Sequence, residues 1–216
     1  MRACDFLRRH RNESFILYIN FLEPHPPYFG PLDKEHDPDK VDLPANFSDP
    51  LEENEPLRYR LKRQDNIETY GEDAESIRKL IAKYWGLVTQ VDLSVGAILK
   101  TLDDLGLAED TIVVYTSDHG DMMGAHNMVG KTVMYEESAR IPWLIRIPNM
   151  RGTAHVISNV VSHIDMVPTV LELMGNKSNE NLPGQSLVPL IKGSKVAQDH
   201  VFIEWNTSKT GVNEDD

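Results

Sequence analysis

Cysteine is nearly absent from the sequence. Cys4 is the single one among 216 residues, which excludes an internal disulfide and a cysteine-rich metal site. No apolar run approaches the ~18 residues of a membrane span. The first ten residues, Met1-Arg2-Ala3-Cys4-Asp5-Phe6-Leu7-Arg8-Arg9-His10, are basic but lack the roughly 7–15 apolar residues of a signal peptide. Positive charge is scarce too: 22 Lys and Arg stand against 34 Asp and Glu. The net charge of -12 argues against nucleic acid as a partner. The remaining composition is globular, 40% hydrophobic and 26% charged, in a chain long enough to bury a core.

The acidity is concentrated. Between Asp33 and Glu55, nine acidic residues face only Lys34 and Lys40. Pro31, Pro38, Pro44, Pro50 and Pro56 punctuate the same stretch, and proline both fixes φ and removes a donor. An acidic, proline-rich loop region over residues 30–70 is expected, either solvated or serving as a binding loop.

Around it, strand and helix patterns alternate. Ser14–Leu22 is a near-continuous apolar run suited to a buried parallel strand. Ile77, Leu80, Ile81, Tyr84, Val88, Val91, Val95, Ile98, Leu99 and Leu102 recur at steps of three and four, which predicts a long helix ending near Gly106. Thr111–Thr116 and Pro142–Ile147 read as further strands, and Val201–Trp205 as a last one. Asp165–Met174 reads as a short helix before Gly175, with Asp165 at its start. The expected class is α/β, a mostly parallel sheet flanked by helices. Residues 1–13 read as an N-terminal remnant and 207–216 as a polar tail.

Open α/β sheets bind ligands beyond the carboxyl ends of their strands. One predicted strand ends at Glu23-Pro24-His25-Pro26-Pro27-Tyr28, another at Ser117-Asp118-His119-Gly120-Asp121. An adjacent Asp and His can offer a carboxylate oxygen and an imidazole nitrogen to a cation. An Asp-His-Gly turn that merely caps backbone is an equal reading of those residues alone.

The longer segment Asp118-His119-Gly120-Asp121-Met122-Met123-Gly124-Ala125-His126-Asn127-Met128-Val129-Gly130-Lys131 resembles the metal-and-lysine segment of the sulfatases, in the alkaline-phosphatase-like superfamily. The resemblance continues through Tyr135–Pro142, Ser162–Gly175 and Leu182–Leu187, in the family's order. The Glu23–Tyr28 segment is similar to the family's upstream histidine motif. The resemblance spans most of residues 14–206 and implies a partial alkaline-phosphatase-like catalytic domain. It implies that Asp118 and His119 are ligands of a divalent cation, calcium first, with manganese or magnesium as alternatives. It implies that Lys131 binds the sulfate and a bridging oxygen, and that His25 contacts the sulfate and protonates the leaving alcohol. His126 would line the substrate pocket, or else be a hydrogen-bonded loop histidine. Asp121 would brace the metal loop or face water. Arg140 reads as structural, and His163 and Asp165 as serving the helix start. A sulfated small molecule or carbohydrate is the implied partner.

The family's nucleophile, a formylglycine made within a C/S-x-P-x-R motif, has no counterpart in this sequence; Cys4 is followed by Asp5-Phe6-Leu7-Arg8. No early Asp-Asp ligand pair precedes His25 either. The chain is therefore expected to be a piece of the catalytic domain, to bind metal weakly and to turn over little alone, since Ca²⁺ takes about 6–8 oxygens. A phosphodiester or phosphonate monoester hydrolase of the same superfamily, and a non-catalytic module, remain alternatives. N-x-S/T sequons begin at Asn12, Asn46, Asn176 and Asn206.

Overall fold

The computed structural model describes residues 2–148, 150, 155–176, 181–194 and 200–204. The chain forms two compact units, Met1–Arg151 and Gly152–Asp216.

In the first unit, helix α1 (Arg2–Arg9) lays Cys4 and Leu7 against Ile98 and Leu102 of a 31-residue helix, α3 (Ala74–Asp104). The predicted helix is present, and of the predicted positions Ile77, Ile81, Val91, Ile98 and Leu102 are buried, while Val88 is exposed and its neighbour Leu87 is buried instead. Asp73 caps its start by accepting from the Ser76 amide at 2.9 Å. Gly106, at φ 70°, ends it, with the Leu107 amide donating back to the Leu102 carbonyl at 2.9 Å.

Ser14–Leu22 departs from expectation. It has no strand ladder among the described residues, although its side chains alternate like a strand's. Phe15, Leu17, Ile19 and Phe21 pack on the α1–α3 cluster, while Ile16, Tyr18 and Leu22 are exposed. Strand geometry needs a neighbour for its backbone donors, and none of the described residues supplies one. The strands that do form are shorter than the apolar runs that predicted them: β1 (Val113–Thr116) and β2 (Trp143–Arg146). They pair antiparallel, Val113 opposite Arg146 and Thr116 opposite Trp143, so the pair seen among the described residues is not one of the parallel pairs of a mostly parallel sheet. A parallel pair needs a crossover that carries the chain back to the same end of the sheet. Here residues 117–142 form a loop with one short helix, α4 (Glu136–Ala139), and the chain returns alongside β1.

The 30–70 region also differs from a loop. Leu57–Tyr70 is a helix, α2, and Pro38–Lys40 a single 3-10 turn. Nor is the acidic stretch merely solvated. Val41 is buried with Ile77, Ile81 and Ala82, and Leu43 and Phe47 pack on the same cluster. His36 bonds the Thr89 hydroxyl at 2.9 Å, and Gly86 admits the Leu32 carbonyl where a Cβ would lie 2.5 Å from it. Apolar residues spaced among the charges anchor the excursion to α3.

In the second unit, α5 (Met166–Leu173) follows a turn over His163–Asp165. Asp165 is buried; it accepts from the Ser162 and Gln185 amides at 2.9 and 3.0 Å. That is the helix-start role predicted for it. A four-residue helix, α6 (Val188–Ile191), follows. Val201–Glu204 forms no strand, while Trp205 and the 207–216 tail lie outside the described residues. Among the described residues no helix is long and apolar enough to cross a membrane.

Candidate active site

The antiparallel register brings the residues after β1 beside those before β2. The Gly120 amide donates to the Ser138 carbonyl at 2.8 Å. A Cβ at Gly120 would stand 2.0 Å from the Glu137 carbonyl oxygen, so only glycine permits this approach. The turn before it presents Asp118 and His119. The Asp118 side chain is 85% exposed and that of His119 28%. His119 Nδ1 lies 2.8 Å from the Gly120 carbonyl, so Nδ1 must donate. In the neutral ring this leaves Nε2 as the acceptor, 3.4 Å from Asp118 Oδ2. A backbone bond that fixes the tautomer and turns the other nitrogen outward is the usual support of a metal-binding histidine. The donor chemistry of this pair fits a divalent cation in part. Among the described residues no group of three or more His, Cys, Asp or Glu side chains converges as a full site.

Asp121 ties the site together. Its Oδ1 accepts from the Met123 and Gly130 amides at 3.0 and 2.7 Å, and its Oδ2 from the Tyr28 hydroxyl at 2.9 Å. One carboxylate therefore fixes both ends of the loop that leads into Lys131 and anchors the segment that carries His25. It braces the loop and does not simply face water. Burial, then the Asp121 charge and hydrogen bond, raise the Tyr28 pKa well above that of a free phenol. Burial and the same carboxylate raise Tyr70 and push Tyr84 up to about 12.

The loop held this way is strained. Met123, His126, Asn127 and Thr132 all have positive φ, at 35°, 52°, 54° and 85°. Left-handed backbone is costly for side-chain-bearing residues, most of all for a β-branched one, and such strain gathers at functional sites. Lys131, next to Thr132, has no hydrogen-bond or ion-pair partner among the described residues. His25 is exposed, between cis bonds at Glu23–Pro24 and Pro26–Pro27. Its Nδ1 donates to the Pro26 carbonyl at 2.8 Å, which leaves Nε2 outward. Among the described residues no hydrogen bond joins His25 or Lys131 to Asp118 or His119; Asp121 links the segments that carry them, through Tyr28 and the Gly130 amide.

His126 stacks on Tyr135, centroids 4.2 Å apart, and its amide donates to the Asn46 carbonyl at 3.0 Å. The Asn46 amide nitrogen donates to Glu137 at 2.8 Å, which fixes its orientation, and lies 3.3 Å from His126 Nε2. Nε2 is thereby the acceptor, and buried Nδ1 carries a proton with no partner among the described residues. The same contacts occupy the nitrogen that glycosylation of the Asn46 sequon would use. Arg140 meets Glu136 at 3.5 Å on the exposed end of α4, a surface pair of little energetic weight.

Sequence reasoning missed α2. Its Tyr59, Lys62 and Asn66 lie on one helical face, at steps of three and four. Asn66 accepts from the Val129 amide and the Tyr59 hydroxyl from the Met134 amide, both at 2.8 Å. That spacing was readable, but the surrounding prolines and charges masked it.

A sequence profile described as Sulfatase matches residues 2–176. Over 95% of its length the chain is 30% identical to the multifunctional alkaline phosphatase superfamily protein PehA of Trinickia caryophylli, covering 42% of that protein. It is 34% identical to arylsulfatase K of Canis lupus familiaris over 88% of this chain and 38% of the relative. The fold matches a phosphonate monoester hydrolase from Silicibacter pomeroyi at TM-score 0.72 and 28% identity, over 90% of this chain and 41% of that one. The chain spans about two fifths of the length of these relatives.

Proposed function

Because the chain belongs to the sulfatase family, we propose that residues 14–206 form part of the catalytic domain of a sulfuric ester hydrolase. The carrying observation is the loop Ser117–Thr132. It sets an Asp–His pair at one end and, at the other, a lysine with no hydrogen-bond or ion-pair partner among the described residues, around a single half-buried carboxylate hub. Asp118 and His119 would hold a divalent cation, calcium by resemblance and manganese by the softness of the imidazole. Bound there, the cation would offset the charge of the ester's oxygens.

The chain's own groups account for the rest. The Lys131 ammonium opposes the charge that builds on the bridging oxygen as the S–O bond breaks. His25 keeps the Nδ1 proton on Pro26, so Nε2 is the atom that gains a proton and passes it to the leaving alcohol. His126 Nδ1–H is buried with no partner among the described residues, so His126 would line the substrate pocket through its ring stacked on Tyr135 and would meet a substrate oxygen only if the loop shifts. The substrate class is a sulfated small molecule or carbohydrate. The nucleophile, a formylglycine, would come from polypeptide outside residues 1–216.

A second reading, phosphonate monoester or phosphodiester hydrolysis, is favoured by the similarity to the Silicibacter and Trinickia proteins. The test is to assay the isolated chain with added metal on aryl sulfate, phosphate diester and phosphonate ester. Negligible turnover on all three is expected. Metal-dependent release from any of them would overturn the assignment of the nucleophile to outside the chain, and the preferred ester would choose between the readings.

A further inference from the structure

Helix α2 reads along the Lys131 loop from one face. Asn66 holds the Val129 amide, and the Tyr59 hydroxyl holds the Met134 amide. Between these two clasps, Lys62 lies over the backbone just before Lys131, with its Nζ 3.7 Å from where a Cβ on Gly130 would be. The clasps fix where α2 runs, so Lys62 is held there by the helix and not by a partner of its own. Among the described residues its ammonium has neither hydrogen-bond nor ion-pair partner.

The charged groups facing Lys62 are Asp121, Asp65, Arg58 and Lys131. Asp121 is already engaged by Tyr28, Met123 and Gly130, and lies beyond ion-pair range of Lys62. A half-buried ammonium set over the backbone that leads into Lys131, with no anion bonded to it among the described residues, is an arrangement that a bound oxyanion would complete.

We propose that Lys62 is a second anion-binding residue of the site, which takes a tetrahedral oxyanion of the substrate jointly with Lys131. The inference rests on the reading of Lys131 as the anion-binding lysine. Burial above all, then Arg58 and Lys131, hold the Lys62 pKa below that of a free lysine against the pull of Asp121 and Asp65. An anion between the two ammonium groups would relieve both the desolvation and the repulsion.

The experiment uses the full chain with its lysines ¹³C-dimethylated, which retains their charge, and titrates inorganic sulfate at constant ionic strength made up with chloride. Exposed Lys40 and Lys83 serve as references for general salt effects. Sulfate is expected to shift the Lys62 and Lys131 resonances with one common midpoint and to raise the Lys62 pKa. Lys62→Met is expected to weaken sulfate binding by about tenfold. Lys62→Arg, which keeps the charge, should restore most of it. A shift at Lys131 alone, with unchanged affinity in Lys62→Met, overturns the proposal and leaves the Lys131 reading standing. No shift at either lysine overturns both. The wild-type resonance reports on Lys62 directly, so the outcome stands even where a variant fails to fold.

Discussion

Replacing Asp121 tests the brace on which the site depends. Asp121→Ala deprives three donors at once: the Met123 and Gly130 amides and the Tyr28 hydroxyl. All three bonds are partly buried, so water compensates in part. At about 1–2 kcal/mol per orphaned donor the loss is about 3–6 kcal/mol. That is a large fraction of the roughly 5–15 kcal/mol that holds a domain folded. Asp121→Asn keeps an acceptor for both amides but presents an NH₂ group to Tyr28, whose hydroxyl can turn to accept. With only the charge-assisted part lost, about 1–2 kcal/mol is expected. Tyr28→Phe, which leaves one carboxylate oxygen unpartnered, should cost a similar amount. Urea denaturation measures the order Ala well above Asn and Phe, and hydrogen exchange at the Gly130 amide reads the brace locally. If Asp121→Ala costs less than about 1 kcal/mol and Gly130 exchange is unchanged, the hub is not what holds the loop.

Other consequences are quick to check. Gly120→Ala should sharply lower the melting temperature, because its Cβ would strike the Glu137 carbonyl. Gly96→Ala, in an open position on α3, should raise stability by up to about 1 kcal/mol. Lys62 carries a lowered pKa from burial, so its charged form costs the folded state. That cost is full below the folded pKa and vanishes as pH rises to its ordinary value near 10.5. Lys62→Met should therefore be more stable than wild type at neutral pH, with a gap that closes towards alkaline pH in denaturation curves. Buried Cys4 should react with a thiol reagent only slowly in the native chain and quickly in denaturant.

The long helix α3, the cap role of Asp165 and the Asp118–His119 turn were legible because each rests on local chemistry: a 3.6-residue period, a capping carboxylate, a strand end. What escaped the sequence depends on partners distant along the chain. The strand pattern of Ser14–Leu22 is real in its alternation, yet a ladder is a property of two segments. The direction of the β1–β2 pair follows from how residues 117–142 return, which no apolar run encodes. α2 was hidden because Tyr59, Lys62 and Asn66 are polar in character, and its buried face is defined by bonds to the Lys131 loop as much as by the packing of Tyr59 on Met122, Met128 and Val133. Asp121 is one acidic residue among many until Tyr28, 93 positions away, is seen to donate to it.

The proposal is that this chain carries the metal, lysine and acid groups of a sulfatase-type site whose nucleophile lies elsewhere. It is tested most directly by exchanging residues 2–204 into the matching segment of the full-length Trinickia relative and measuring ester hydrolysis. A folded chimaera should hydrolyse aryl sulfate or phosphonate ester with added divalent metal, and Lys131→Met should slow it at least about 100-fold. A folded chimaera with no turnover on either ester, or one whose rate is indifferent to Lys131→Met, would contradict the claim.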